Sequence, residues 1–257
     1  MPSIYQAVDD YAAYRRGWEE QEIELLKRVH HVCAVSSALA EKFIRVAGLG
    51  PEKISVLPNA IAAEWIPPQV PSLQLNRSRP LAGVLGRVSS RLRLDWLAEA
   101  IERTPWLDWL FAGDIEDAEL EAADRPVLRQ ILKHPCCRFT GRQSQAQLAA
   151  HASTIDLAVI PYSERSVNPL ASPARFFLHL AFGRPILVTP GCRQLEEFSP
   201  LVVRCTSPTV MVAQLERLKD CNFDDGLLSK RWEAAHQHTW DIRANSLIEI
   251  ATRLIDR

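Results

Sequence analysis

The sequence predicts an α/β fold built on a doubly wound parallel sheet. From about residue 80 onward, six short apolar runs read as strands: 81–86, 109–113, 138–140, 156–160, 186–189 and 202–205. Helical stretches near 94–103, 118–133, 145–152, 173–182 and 208–219 fall between and after them, and strict alternation of this kind argues for a parallel sheet. The third observation is a strand–loop–helix–strand unit written out in local punctuation between Asp156 and Thr189. Ser172 reads as a helix N-cap, Pro173 suits the first helical position, Gly183 ends the helix, and Pro185 opens the strand Ile186-Leu187-Val188. In sheets of this class ligands bind beyond the carboxyl ends of the strands.

The elements before residue 80 form a different pattern. A helix over 14–28 precedes the strand 31–35, and Ser36 or Ser37 caps a second helix through Ala47. An extended segment, 53–59, follows. Pro67, Pro68, Pro71 and Pro80 among polar residues mark a linker. After the sheet, a helix over 227–237 and a last one from Asp241 close the chain, with Ile242, Leu247, Ile250 and Leu254 on one face. The expected organisation is a partial lobe over 1–60, a linker over 61–80, the sheet domain over 81–225 and two closing helices over 226–257.

Bulk composition excludes several classes. With 30 basic and 31 acidic residues the net charge is −1, which points to neither nucleic acid nor a polyanionic surface. No apolar run of about 18 residues exists to span a membrane. The N-terminal stretch carries Asp9 and Asp10 where an export signal would be basic and then apolar, so a cytoplasmic chain is expected. The six cysteines are scattered without Cys-x-x-Cys spacing and read as reduced thiols; His134-Pro135-Cys136-Cys137 lacks a second ligand cluster, so no metal is expected. The ten glycines form neither a dinucleotide fingerprint nor a phosphate loop. Asp9 and Asp10 read as helix-capping carboxylates, and His179 as a core or helix-surface histidine.

Two stretches carry a resemblance. The first is Ser172-Pro173-x-Arg175, Ala181, Gly183, Pro185 and Thr189. It is similar to the run Ser-Pro-x-Lys-x-x-Glu-x-x-Ala-x-Gly-x-Pro-Val-Val-x-Thr of the donor-binding segment in GT-B glycosyltransferases, enzymes with paired Rossmann-like domains. The second joins Tyr5, Val8-Asp9-Asp10-Tyr11, Glu22, Leu25-Leu26, Val32-x-Ala34-Val35-Ser36 and Ile54-x-Val56-Leu57-Pro58-Asn59. It resembles the junction of the two domains, in retaining family-4-like members acting on cell-surface polysaccharides of the teichuronic acid type. The likeness runs from Tyr5 to the last helix. It implies the donor half of such an enzyme with a stub of the acceptor half, most of which would lie before Met1.

The resemblance also implies roles. Arg87 and Arg93, in the turn after strand 81–86, stand where the family's cations hold the donor diphosphate and steady the leaving group. Gly86 shapes that turn, and Gly113 ends a strand at a nucleotide-facing loop. Ser172, Pro173 and Arg175 sit at a helix N-terminus suited to a diphosphate, and Asn168 could add a polar contact. Read from residues alone, Arg91 and Arg93 are solvated charges at a helix start, and Arg175 a solvated helix arginine. The family's two sugar-recognising glutamates fall on Leu170 and Leu178. The implied partner is a nucleoside diphosphate sugar, bound without a metal ion, with a separate acceptor-domain subunit or a second copy completing the chain. The implied function is glycosyl transfer to a cell-surface glycan at the inner face of the membrane; the alternative is a degenerate nucleotide- or partner-binding module.

Overall fold

Two parallel sheets divide the chain. The computed structural model describes residues 2–15, 17–72, 77–116, 118, 120–165 and 167–256. The first sheet has three strands, β1 (Ile4–Ala7), β2 (His31–Ala34) and β3 (Ile54–Val56), paired in that order. Helices α1 (Trp18–Arg28) and α2 (Ser37–Ala47) cover it, burying Leu26, Leu39 and Phe43 against Val32 and Ala34. Ser36 caps α2 by accepting from the Leu39 N–H at 3.1 Å. Strand β1 is not among the elements read from the sequence. Its four residues become a strand through parallel pairing with β2, Ile4 opposite His31, a contact across 27 residues that no local signal announces. Helix α1 begins four residues later than expected, at Trp18, because Gly17 enters at φ +82°.

The second sheet has six strands: β4 (Leu81–Leu85), β5 (Asp108–Ala112), β6 (Cys137–Phe139), β7 (Leu157–Ile160), β8 (Ile186–Val188) and β9 (Val203–Arg204). Every pairing is parallel and the order is β6-β5-β4-β7-β8-β9. The expected doubly wound α/β fold is therefore present, and the strand order reverses between β4 and β7. The central strands β4, β7 and β8, and β5 from Trp109 onward, are buried on both faces, which is why they read as continuous apolar runs. Helices α3 (Leu94–Arg103), α4 (Asp124–Lys133), α5 (Gln145–Thr154), α6 (Ala174–Phe182), the short α7 (Gln194–Glu197) and α8 (Pro208–Asp220) follow in turn. Helix α4 starts at Asp124 rather than 118 because Pro126 is tolerated in the first turn and not deeper; residues 117 and 119 lie outside the described residues.

Segment 61–72 is docked rather than loose. Ile61 and Ile66 enter the core of the six-stranded domain, the Trp232 indole donates to Pro67 O at 2.9 Å, and Arg184 donates to Ser72 O at 3.0 Å. Helix α9 (Leu228–His236) packs on α6. Helix α10 (Trp240–Ile255) returns to the first sheet, where Leu247, Ile250 and Leu254 meet Ile4, Cys33 and Leu57. The chain thus passes between the lobes twice. The two passages are bonded side by side: Ile61 N–H donates to His238 O and Trp240 N–H to Ile61 O, each at 3.0 Å. Among the described residues no helix is long and apolar enough to cross a membrane.

Candidate functional site

A cleft of about 370 Å³ opens between the lobes at the carboxyl ends of β4 and β7, where the strand order reverses. Gly86 leaves β4 at φ +98°, and a Cβ there would lie 2.7 Å from Arg175 Nη2. Gly113 leaves β5 directly against it, its Cβ position 2.2 Å from Gly86 O. Glycine at 86 therefore leaves room for the arginine, and glycine at 113 for the Gly86 backbone. Gly86→Ala is expected to cost about 1–3 kcal/mol through backbone strain alone, lowering Tm by roughly 3–10 °C in a thermal melt. An unchanged melt would show that the turn relaxes freely.

Arg175 lies in the first turn of α6. Its guanidinium carbon is 5.3 Å from the Tyr162 ring centre, and its buried Nη1 has no hydrogen-bond partner. Buried guanidinium N–H groups are rarely left unpaired, so the atom marks a place where an acceptor belongs. Ser172, Pro173, Gly86 and Leu178 line the same cleft. Ser172 does not cap α6, however. The N-cap position is Pro173, with no side-chain cap bond, and Ser172 Oγ instead accepts from the Asn59 N–H at 3.0 Å while its carbonyl accepts from Asn59 Nδ2 at 2.6 Å. The serine ties the junction between lobes to the mouth of α6.

The other expected site residues are placed differently. Arg87 is paired with Glu116 at 3.0 Å and does not line the cleft. Arg93 is held by both Asp95 carboxylate oxygens, at 3.0 and 2.8 Å, over the Trp96 ring, also outside it. The Asp95 pairing raises the Arg93 pKa further, so a carboxylate already satisfies its charge. Asn168 is fully buried with its amide spent inside the protein, on Arg91 Nε (2.8 Å), Arg91 O (2.7 Å) and Ser163 O (2.9 Å). Leu170 packs against the core of the first lobe, and its carbonyl accepts from Ser36 Oγ at 2.6 Å. His179 is a core residue whose pKa burial, with Arg175 beside it, pulls down to about 3. Neither Asp9 nor Asp10 caps a helix through its side chain: Asp10 holds Lys42 at 2.6 Å, and Asp9, on the cleft wall, accepts from Tyr14 Oη at 2.9 Å.

Sequence reasoning passed over Arg91 and Tyr162, both on the cleft wall. The signal was positional, since they lie in the loops after β4 and β7 on either side of the strand-order reversal. Among the described residues no group of three or more His, Cys, Asp or Glu stands together to hold a metal ion.

No protein-family profile matches the chain. It is 22% identical over 236 residues, 88% of its length, to TuaH of Bacillus subtilis strain 168, a protein assigned as a teichuronic acid biosynthesis glycosyltransferase. The chain spans only 58% of that relative's length. Anabaena HepE, solved with UDP and glucose, superposes with a TM-score of 0.77 at 16% identity, over 100% of this chain and 72% of HepE. Sucrose-phosphate synthase from Thermosynechococcus elongatus gives 0.74 at 15% identity, over 98% of this chain and 68% of that one. WaaG, a glycosyltransferase involved in lipopolysaccharide biosynthesis, gives 0.68 at 14%, over 96% and 74%. With the reversed strand order and the returning last helix, these likenesses show that the chain has the fold of the GT-B glycosyltransferases.

Proposed function

We propose that this chain is the donor-binding half of a glycosyltransferase, taking a nucleoside diphosphate sugar for transfer to a cell-surface glycan. One observation carries the reading: Arg175, on the wall of the inter-lobe cleft at the start of α6, keeps a buried guanidinium N–H without a partner. The N-terminus of a helix favours an anion through its open N–H groups and its dipole, and arginine adds a charge-assisted contact. The guanidinium and the helix end meet the diphosphate charge without a metal ion. The likeness to TuaH, and the UDP and glucose held by HepE, support a nucleotide sugar as the ligand. A cytoplasmic chain, working at the inner membrane face with an acceptor-domain subunit or a second copy, belongs to the same proposal.

A second reading, a nucleotide-binding module without transfer activity, is favoured by Leu170 and Leu178. Neither side chain accepts a hydrogen bond, and Leu170 is committed to the first lobe. Thermal shift against a panel of nucleoside diphosphate sugars tests binding, since ligand at 100 times its Kd stabilises by about 2.7 kcal/mol. Adding glycan acceptors and following sugar transfer separates the two readings. Arg175→Ala is expected to weaken nucleoside diphosphate binding roughly ten- to a hundredfold, the value of one charge-assisted contact. Undiminished affinity in titration calorimetry, with the fold intact, would remove Arg175 from the site.

A further inference from the structure

We infer that Arg91, aimed by Asn168, is the second phosphate-binding cation of the cleft, and that it makes the site select diphosphates over monophosphates. The inference rests on the nucleotide reading above and assigns a residue and a selectivity to it. Three arginines crowd the stretch between Gly86 and Asp95, and the structure separates them. Arg87 and Arg93 are engaged by carboxylates, those of Glu116 and Asp95, away from the cleft wall. Arg91 is on the wall, and its anchor is a neutral amide.

That anchor is specific. The Asn168 amide nitrogen has two carbonyl acceptors, Arg91 O and Ser163 O, which leaves its oxygen to face Arg91 Nε at 2.8 Å. The side chain and the backbone of Arg91 are thus gripped by one fully buried asparagine. With Nε taken, the outer end of the guanidinium reaches the cleft, where Nη1 lies 3.5 Å from the Tyr14 hydroxyl of the first lobe. The guanidinium carbon is 5.9 Å from the Tyr162 ring centre, and that of Arg175 is 5.3 Å from the same ring. Two cations therefore approach the ring of one tyrosine. The carboxylate on this wall, Asp9, already accepts from the Asp10 N–H and from Tyr14. A diphosphate carries charge on two linked phosphates and so offers an acceptor group to each guanidinium. A monophosphate engages one of them.

The test is titration calorimetry of the full chain with UDP, GDP, ADP and dTDP, each against its monophosphate. For any base that binds, the diphosphate is expected to bind about ten- to a hundredfold more tightly, one further charge-assisted contact. Arg91→Ala should bring the two affinities together, and Arg91→Gln, which keeps the contact to Asn168, should do the same. Asn168→Ala should lower diphosphate affinity in the native chain and much less in the Arg91→Ala background, because its amide oxygen reaches the site through the arginine side chain. A purely structural asparagine would give equal losses in both backgrounds. If a diphosphate binds and Arg91→Ala keeps the preference, this inference falls while the nucleotide reading stands. If none of the diphosphates binds the native chain, the nucleotide reading falls and takes this one with it.

Discussion

Arg231→Met is expected to lower the unfolding free energy by about 3–5 kcal/mol, the cost of leaving a buried charge without its partner. Arg231 has no exposed surface, and its guanidinium meets both Asp225 oxygens at 2.8 and 2.5 Å. The same group donates to Leu201 O at 2.8 Å and to Gly183 O at 3.2 Å, so one side chain fastens α9 to the end of α6 and to the segment entering β9. Methionine fills much of the volume but leaves the Asp225 carboxylate without its cation, with only the Leu227 N–H donating to it at 3.2 Å, and takes the arginine's N–H groups from two carbonyls. Urea unfolding should show the loss, and adding Asp225→Leu should recover a good part of it, because two apolar residues desolvate at little cost. A single variant as stable as the parent would mean that water reaches Asp225 and that the ion pair is not closed.

Acidification from pH 7 to 5 is expected to destabilise the chain by several kcal/mol through two histidines. Burial, with Arg175 beside it, holds the native His179 pKa at about 3; burial, with Arg243 donating to its ring nitrogen at 2.6 Å, holds that of His238 at about 4. The His238 ring also lies 5.3 Å from both Phe177 and Phe198, the apolar neighbours that bury it. Unfolded histidines titrate near 6.5. Below that pH the unfolded chain binds protons that the native chain refuses, so stability is complete above about pH 6.5 and falls as pH drops towards the native values. The slope is about 1.4 kcal/mol per pH unit for a fully buried histidine and shallower for the partly exposed His238. Glu22 and Asp156, whose native pKa values burial raises, act in the opposite direction closer to the carboxylate range. Urea titrations at stepped pH measure the slope, and His179→Leu should roughly halve it. An unaltered slope in that variant would place the acid sensitivity elsewhere.

The six-stranded sheet was legible because its order is built from signals that survive in one dimension. Residues 109–112 and 157–160 are buried on both faces and therefore apolar throughout, and Gly183 and Pro185 punctuate the chain where α6 ends and β8 begins. Strand β1 was not legible, since it exists only through its pairing with β2. The site was half legible for the same reason. Gly86, Ser172, Pro173 and Arg175 lie where strand ends and helix starts converge, and those ends can be read from sequence. Which of three neighbouring arginines faces the cleft is decided by distant contacts: Arg93 N–H donates to Pro161 O at 2.7 Å, and Asn168 takes Arg91 from 77 residues away. Ser172 followed by proline has the local form of a cap, yet its hydroxyl serves Asn59, 113 residues earlier. Local preference yields where a long-range partner satisfies the same atom better.

The paired passages between the lobes have a mechanical consequence. Two separate connections would let the lobes shear, twist and bend independently. Here Ile61 and the 238–240 strand are stitched into one narrow ribbon, reinforced where Arg243 donates to Pro58 O at 3.0 Å. A paired ribbon resists sliding of one passage past the other, and it works beside the ties that Ser36 makes to Leu170 and Asn59 to Ser172. Ile61 and Trp240 belong both to that ribbon and to the cleft wall. Whatever fills the cleft therefore touches the paired passages as well as the strand ends, and the joint between the lobes is itself part of the site's wall.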